Sequence, residues 1–559
     1  MEESELTIKN IPKLVVPDNV FNSKKLRVAS TIFKEEPKPD PTLGYTPELN
    51  NAKNRITSFA DKWEKSVKFL LSDFELIDIF RNPRFSHQRY NEPIIKYREK
   101  FESDETKGAY PIFSRAYFKL WEVLGNTGVL SRYKEEGLTV ANVAEGPGGF
   151  IHCLIDYRKN QNGVDWNKDS YHSITLKIGQ NNDAKALDWD ERRSKEYFEL
   201  ARSKNHNVIL SYGADGTGNM FKLVNLEHFV NNDLKNKKCQ LVTGDGGIDL
   251  SGDEEFSIQE IANAPLFFSE ILYALHVQEE TGCFILKIYD IYYNVTVQLI
   301  LLLKQFYEKV TIVKPHTSRP ASSEKYLVCE NFKGITDDEL KLLRGLLEDW
   351  VGKRDEWNGL SKETFTENIL EFDFDQTNLE SFRKQLSEFN TIFSDSQISK
   401  INHGLELVKR SFISADEVMK IKERQKRIAV AWCKAYNVPY NESITLSRKC
   451  FDNNSVQSRD QRHHRAYSRD YRFNNYDDNR WDNKRERRKN SRSKERESSN
   501  HGRSRKWIRK RDSSRSRSRS RSKSRDRERK NKSTLQFSIE SHEGDMKKLE
   551  ERKKRFGMK

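Results

Sequence analysis

Three charged side chains stand where the surrounding sequence is apolar. Lys119 lies in the amphipathic segment SRAYFKLWEVL, Lys287 lies near the end of the apolar run CFILKI, and Glu324 opens the run EKYLVC. A lysine inside an apolar strand is costly unless a carboxylate pairs with it. Ammonium and carboxylate groups in a buried setting suit acid–base chemistry, because burial and neighbouring charges shift their pKa values. These residues are therefore candidates for a catalytic site.

Three loops rich in glycine and acidic residues each follow a short apolar run. They are AEGPGGF (144–150), YGADGTGNM (212–220) and GDGGIDL (244–250). The first loop lacks both the GxxxxGKS/T pattern of a phosphate loop and the GxGxxG pattern of a dinucleotide site. A methyl-donor site of the S-adenosylmethionine (AdoMet) type, or a tight turn that binds nothing, remains possible for this loop alone. Because α/β folds bind ligands at the carboxyl ends of their strands, the three loops together favour a ligand site.

The elements that would position these residues alternate in type along the chain. Between 111 and 332, apolar runs such as LTVANVA and CQLVTGD alternate with amphipathic helices such as NVTVQLILLLKQFYEK. This alternation predicts an α/β fold with a mainly parallel sheet and helices on both faces, which EKYLVCE could close as an antiparallel strand. The patterns predict five segments: a mobile N-terminal arm (1–45), a helical N-terminal extension (46–110), the α/β domain (111–332), a helical C-terminal extension (333–450) and a disordered basic tail (451–559).

The positive charge of the chain is concentrated in its tail. The whole chain of 559 residues has a net charge of +15, and residues 451–532 hold 30 Lys and Arg against 12 Asp and Glu. A segment of this composition cannot bury enough apolar surface to fold, and its charge favours a polyanion such as nucleic acid. The Arg-Ser alternation at 513–525 fits three roles: an arm that holds RNA, a phosphorylatable tail that binds the transcription or RNA-processing machinery, or a solubilising tail.

Several classes of protein are not favoured by the sequence. The acidic, polar N-terminus is unlike a secretory signal, and the longest apolar run (295–303) is too short to span a bilayer. The six cysteines show no CxxC pair and no metal-ligand spacing, so we expect no metal site.

In their order and spacing, the motifs between 110 and 332 resemble the FtsJ-like ribose 2′-O-methyltransferases. The motifs that carry the resemblance are SRAYFKLWE, AEGPGGF, TLKIGQN, YGADGTGN, GDGG, LKIYD and TSRPASSEKYLVC. They look most like the branch that methylates the first transcribed nucleotide of capped mRNA. The resemblance implies a Rossmann-like, AdoMet-dependent methyltransferase fold with a mainly parallel seven-stranded sheet.

In that family a Lys-Asp-Lys-Glu tetrad forms the active centre, and by motif it falls on Lys119, Asp245, Lys287 and Glu324. We predict that Lys287 orients and deprotonates the ribose 2′-hydroxyl, with its pKa lowered towards neutral by burial and by the Lys119 ammonium. The two carboxylates would hold the lysines in place, and no metal ion is required. Taken alone, each residue also fits a structural role, as a strand-end lysine, an exposed strand start or an Asx turn.

The resemblance also implies which residues bind AdoMet and RNA. The expected cofactor residues are Glu145, Gly146, Pro147, Gly148, Gly149 and Phe150 for the amino-acid end, and Asp215, Gly216 and Asn219 near the adenosine, with Asp245 beside them. Asn219 departs from the acidic residue that the family often carries there. The expected RNA contacts are Arg115, Arg319 and Ser322.

The leading hypothesis is therefore a nuclear methyltransferase of capped mRNA, or a cytoplasmic one if a virus encodes it. An FtsJ-like enzyme of ribosomal or transfer RNA is the closest alternative, and an inactive methyltransferase fold that only binds RNA is a third. Cap recognition would separate them, and 80–115 and the 247–256 loop are the candidate positions for a cap pocket.

Overall fold

The computed structural model describes most of the chain between residues 8 and 440. The described ranges are 8–29, 37–63, 67–77, 112–134, 137–177, 189, 192–204, 206–248, 258–351, 366, 368–410 and 413–440. The predicted tail lies outside the described residues, as do most of the two candidate cap-pocket stretches and the end of the TLKIGQN motif. The chain forms two units, Met1–Tyr476 and Asp477–Lys559, and every described residue belongs to the first.

The strands of the described chain build one large sheet and one small sheet. They are β1 (Lys13–Val15), β2 (Phe21–Val28), β3 (Thr139–Val143), β4 (Ser170–Ile174), β5 (Asn207–Ser211), β6 (Cys239–Gly244), β7 (Gln278–Ile288), β8 (Tyr307–Val313), β9 (Lys325–Phe332) and β10 (Leu370–Phe374). The large sheet has the order β1-β8-β9-β7-β6-β3-β4-β5, and β10 pairs with β2. Neighbours from β5 to β7 are parallel, whereas β9 is antiparallel to β7 and β8. The predicted Rossmann-like fold and its closing antiparallel strand are confirmed.

Helices cover both faces of the large sheet. They are α1 (Pro47–Thr57), α2 (Ala60–Lys62), α3 (Lys68–Leu71), α4 (Ala116–Thr127), α5 (Gly149–Lys159), α6 (Arg192–Ser203), α7 (Leu223–His228), α8 (Gln259–Val277), α9 (Asn294–Phe306), α10 (Asp337–Val351), α11 (Gln376–Lys409) and α12 (Ala415–Ala435). Local sequence sets several of their ends. The side chains of Asp375 and Ser414 cap α11 and α12, and Gly128 ends α4 in the left-handed conformation.

Side-chain alternation along the strands separates two hydrophobic layers. In β7, Cys283 and Ile285 pack into the layer that α4, α5, α6 and α12 cover, and Phe284 and Leu286 pack into the layer that α8 to α11 cover. Both faces of the sheet are therefore buried, as a parallel sheet requires.

Residues 8–29 and 37–45 are part of the fold, which for these residues corrects the prediction of a mobile arm at 1–45. β1 extends the large sheet beyond the seven expected strands, and Leu14 lies opposite Ile312 of β8. β2 pairs with β10, so the predicted helical extension at 333–450 also contains a strand. The physical reason is apolar burial that the polar composition concealed, because Val16 and Val20 are fully buried.

The described part of the chain shows neither a membrane-spanning helix nor a metal site. None of its helices is long and apolar enough to cross a membrane. In the same ranges, no group of three or more His, Cys, Asp or Glu side chains is arranged to hold a metal ion.

Candidate active site

The strand order reverses between β3 and β6, and this reversal creates the crevice of the site. The two strands are parallel neighbours with Val143 opposite Gly244, so their carboxyl ends lie side by side. Glu145 and Asp245 follow these ends directly, and the Asp245 N–H donates to the Val143 carbonyl at 3.4 Å. Such switch points are where open α/β sheets bind ligands.

Strand phase directs three of the predicted catalytic residues to one face of the sheet. Asp245 lies four residues after Leu241, and Lys287 lies two residues after Ile285, both of which pack in the layer under α4. Because side chains alternate in a strand, Asp245 and Lys287 continue on that face. Glu324 precedes β9 in the same phase, so all three approach α4.

The structure brings the four tetrad residues together. Lys119 on α4 lies 2.6 Å from a Glu324 carboxylate oxygen, measured from Nζ to Oε2. Lys287 Nζ lies 3.1 Å from Asp245 Oδ1 and donates to the Asp245 carbonyl at 2.6 Å. The Tyr326 hydroxyl donates to the other oxygen of Glu324 at 2.6 Å. The tetrad is therefore two Lys–carboxylate pairs on one face of the sheet.

The charges of the tetrad differ in one respect from the sequence-based expectation. Burial alone would raise the pKa of Glu324, but the ammonium groups of Lys119 and Lys287 hold it at about 2. Burial alone would lower the pKa of Lys287, but Asp245, Tyr289 and Glu324 raise it above its usual value. The expected depression of the Lys287 pKa is therefore absent here, because the field of nearby acidic groups outweighs burial and Lys119.

The glycine turn after β3 is shaped by packing within the protein. Gly148 has a φ of 106°, and a Cβ atom there would collide with the ring of Phe198. The N–H of Gly146 donates to Thr175, and the N–H of Phe150 donates to Glu145 Oε1 at 2.6 Å. Two backbone N–H groups of this turn, which also includes Pro147 and Gly149, are therefore hydrogen-bonded within the protein.

The second predicted cofactor loop is a self-contained turn. The Asp215 carboxylate accepts from the Thr217 N–H at 2.9 Å and from Lys222 Nζ at 2.8 Å. Asn219 accepts from the Phe221 N–H at 2.9 Å, which is a structural use for this residue. Gly216 has a φ of 71° and open space beside it. The loop follows β5, on the same side of the switch point as β4.

The predicted RNA contacts lie beside the tetrad. Two of them, Arg115 and Arg319, form ion pairs with Glu75, a residue that sequence analysis missed. Glu75 Oε2 lies 3.1 Å from Arg115 Nη1, and Glu75 Oε1 lies 3.0 Å from Arg319 Nε. Arg115 precedes Lys119 by one turn of α4. Ser322 lies in the same loop as Arg319, and its N–H donates to the Arg319 carbonyl at 2.9 Å.

Comparison with known proteins assigns the α/β domain. Residues 112–332 match the family model described as FtsJ-like methyltransferase. The chain contains an FtsJ-like methyltransferase domain. A Trypanosoma cruzi protein named cap-specific mRNA (nucleoside-2′-O-)-methyltransferase 1 is 31% identical over 247 residues, which cover 42% of this chain and 60% of that protein. The Xenopus laevis protein of the same name is 36% identical over 208 residues, which cover 37% of this chain and 22% of that protein.

The family match covers residues 112–332, and the relatives are each matched over only part of their own length. The chain spans 60% of the length of the Trypanosoma cruzi relative and 22% of the Xenopus laevis one. Among solved structures, a methyltransferase homologue from Pyrococcus horikoshii overlaps 52% of this chain and all of its own, with 12% identity and a TM-score of 0.24. The fold assignment rests on the strand order and the family match.

Two buried residues that sequence analysis missed fix the loop between β8 and β9 in the FtsJ-like domain. Glu122, on α4, accepts from the N–H groups of His316 and Thr317 at 2.9 Å each. Lys314 donates to the carbonyls of Ser322 and Glu324 at 2.6 and 2.7 Å. Burial raises the pKa of the Glu122 carboxyl to about 7 and lowers that of Lys314 to about 7. In the sequence, Glu122 could be noticed only as an acidic residue one turn after Lys119, and Lys314 only as a lysine at the end of an apolar run.

A third missed residue, Glu270 of α8, supports the GDGG loop. Its Oε1 accepts from the Gly246 N–H at 2.9 Å. A Cβ atom at Gly244 or Gly246 would approach that oxygen to 2.7 or 2.8 Å. The Glu270 carboxyl that lies against these two glycines therefore explains why neither carries a side chain.

Glu270 predicts a measurable dependence of stability on pH. Burial raises the pKa of its carboxyl from 4.5 to about 8. Between those values the folded protein keeps a proton that the unfolded chain releases, so this residue's contribution to stability falls as the pH rises. Glu270→Gln removes this loss because its amide does not titrate. We therefore expect the free energy of unfolding of the variant, relative to that of the unmodified protein, to rise by on the order of 3 kcal/mol between pH 4.5 and pH 8.5.

The measurement is the unfolding midpoint of both proteins across this pH range. Exposed Glu199 on α6 offers the control, because Glu199→Gln should leave the pH dependence as it is in the unmodified protein. Parallel curves for Glu270→Gln and the unmodified protein would contradict the prediction.

Proposed function

We propose that this protein transfers a methyl group from AdoMet to a ribose 2′-oxygen of capped mRNA, at the first transcribed nucleotide. The observation that carries the proposal is the convergence of the two Lys–carboxylate pairs beside the switch point of an FtsJ-like domain. The names of the relatives support capped mRNA as the substrate class.

The switch point fits AdoMet. Glu145 is buried, and among the described residues its Oε2 atom has no hydrogen-bond partner. A cationic amino group would satisfy this oxygen. Burial and the nearby Asp245 raise the pKa of Glu145, which a bound cation would reverse. The turn from Gly146 to Phe150 would then border the amino-acid end, and the Asp215–Asn219 loop would border the adenosine.

The tetrad supplies positioning and proton transfer. When bound, AdoMet supplies an electrophilic methyl group on a positively charged sulfonium, and such a charge near the tetrad lowers the pKa of Lys287. After releasing one proton to solvent, the neutral Lys287 amine orients the ribose hydroxyl and accepts its proton as the oxygen attacks. Asp245 holds the Lys287 ammonium, and Glu324 holds that of Lys119. Alignment of the reacting atoms by these fixed groups provides much of the rate.

The RNA backbone would lie along the outer side of α4. Arg115 lies at the N-cap of α4 and Arg319 lies in the β8–β9 loop, and each guanidinium is a natural partner for a phosphate. Their side chains are partly exposed, at 23% and 28%. Ser322 would add a neutral contact from the same loop.

The tail supports a nuclear role within the same proposal. Its Arg-Ser alternation is typical of RNA-processing proteins, and its charge would hold the transcript through counterion release. Phosphorylation would reverse this charge locally and so regulate the attachment.

The decisive test compares methyl transfer from labelled AdoMet to matched capped and uncapped short RNAs. We expect transfer to the capped RNA to be faster by at least about 10-fold, which corresponds to about 1.4 kcal/mol of discrimination. Equal transfer to both would point to another RNA substrate, such as ribosomal or transfer RNA. RNA binding with no transfer to either would point to an inactive scaffold.

A further inference from the structure

A positively charged groove lies between α11 and α12 of the C-terminal extension. The groove encloses about 260 Å³, and its walls include Lys400, Lys420 and Arg424. Its apolar lining, called the floor below, consists of Leu70, Leu71 and Ile421, and His403 and Glu417 also line the groove. Cationic walls over an aliphatic floor match the phosphates and base faces of a nucleic-acid strand.

The acidic groups near the groove are already engaged. Glu417, which also lines it, lies 2.9 Å from the guanidinium of Arg410. Arg424 pairs with Asp73. Neither Lys400 nor Lys420 has a carboxylate within ion-pair distance in the part of the chain that the structure describes. The groove therefore retains net positive charge, which attracts a polyanion.

The groove is joined to the candidate active site through the segment 67–77. Gln425, the neighbour of Arg424 on α12, donates to the carbonyls of Phe69 and Ser72 at 2.8 and 2.6 Å. The Phe69 ring lies 5.5 Å from the Arg319 guanidinium. Through Glu75 the same segment also contacts Arg115, one turn of α4 from Lys119. The segment 67–77 therefore contacts both the helix that lines the groove and the two arginines beside the tetrad.

We propose that this groove, the α11–α12 groove, binds the single-stranded transcript beyond the nucleotide that is methylated. The proposal rests on the function proposed above, which places the methylated end of the RNA at the tetrad and so sets the direction of the bound strand. Lys400 and Lys420 would contact phosphates, and the floor would accept the face of a base. This gives the C-terminal extension a role in substrate binding in addition to its packing against the sheet.

The test uses the double variant Lys400→Glu/Lys420→Glu in the full-length chain, so that the tail is the same in all proteins. Affinity is measured by fluorescence anisotropy for a capped trinucleotide and for a capped single-stranded RNA of about 20 nucleotides. We expect affinity for the long RNA to fall about 10-fold or more, with a salt slope shallower by about 1.4, because two phosphate contacts are lost. The trinucleotide should lose much less.

A matched control is available on the same helix. Exposed Lys384 precedes Lys400 by sixteen residues of α11, about 24 Å along the helix axis. Lys384→Glu should leave the affinity for the long RNA within about twofold of the unmodified protein. An equal loss in this control, or no loss in the double variant, would overturn the proposal.

Two further outcomes are informative. Groove-dependent binding of a phosphorylated serine peptide, with RNA affinity unaffected, would overturn the proposal in favour of a protein ligand. Loss of RNA affinity in the double variant, when the unmodified protein transfers no methyl group to capped RNA, would support the groove as an RNA site and reject the cap-methylation function.

Discussion

Lys287→Ala should lower the rate of methyl transfer about 10²- to 10⁴-fold, the range that general acid–base catalysis contributes. Lys287 lies near the end of β7 with its Nζ atom 3.1 Å from Asp245, and its removal takes away the amine that orients the ribose hydroxyl and accepts its proton in the proposed mechanism. The affinity for AdoMet should stay within a few-fold, because the crevice at Glu145 is formed by β3 and the glycine turn. Single-turnover methyl transfer and equilibrium AdoMet binding measure the two effects separately.

Two further variants make this result specific. Lys287→Arg keeps the charge but stays protonated, because the guanidinium pKa is above about 12. It should therefore remain slow if Lys287 accepts a proton, and recover activity if only positive charge is needed. Lys309→Ala, at an exposed position on β8, should leave transfer unchanged. Transfer at the unmodified rate in Lys287→Ala would remove this residue from the mechanism.

Asp290→Ala should produce the largest loss of stability, about 3–5 kcal/mol, because it leaves two buried ammonium groups without their counter-ion. Asp290 Oδ2 lies 2.6 Å from Lys53 Nζ, and Oδ1 lies 3.6 Å from Lys325 Nζ. All three side chains are less than a tenth exposed. Burial alone would raise the pKa of Asp290, but the two lysines hold it below its usual value.

This loss would appear as a lower urea midpoint for unfolding. Lys53 belongs to α1, so the prediction also tests whether the N-terminal extension is bound to the FtsJ-like domain through this ion cluster. Exposed Asp349→Ala on α10 is the matched control and should change stability by less than about 0.5 kcal/mol. A change below about 1 kcal/mol in Asp290→Ala would show that the cluster contributes little.

The sequence allowed the fold and the position of the candidate site to be predicted because both depend on local patterns. Apolar runs that alternate with amphipathic helices specify the parallel sheet, and charged residues such as Lys287 stand out within those runs. The loops at strand ends could be recognised for the same reason. Whether the four tetrad side chains meet depends on strand phase, which could be inferred once the strands were assigned.

What the sequence could not show depends on partners that are distant along the chain. β1 pairs with β8 about three hundred residues later, and its three residues carry no pattern of their own. Glu75, Glu122 and Lys314 act on backbone groups or guanidinium groups of other segments, so their types alone do not reveal their positions. The raised pKa of Lys287 results from the sum of three neighbours, which only coordinates can supply.

The glycines illustrate that one motif can have more than one cause. Gly148 stays a predicted cofactor residue, and its missing side chain also makes room for Phe198. Gly246 similarly makes room for Glu270. In both cases the sequence pattern marks a close approach of atoms, and the structure identifies those atoms as belonging to the protein.

The most direct test of the account is the position of the transferred methyl group. Capped RNA is incubated with the protein and AdoMet, digested to nucleosides and caps, and analysed by mass spectrometry. We expect one methyl group on the ribose 2′-oxygen of the first transcribed nucleotide, and at the same incubation time at most about a hundredth as much with Lys287→Ala. A methyl group on a base, or on the ribose of uncapped RNA to the same extent, would contradict it.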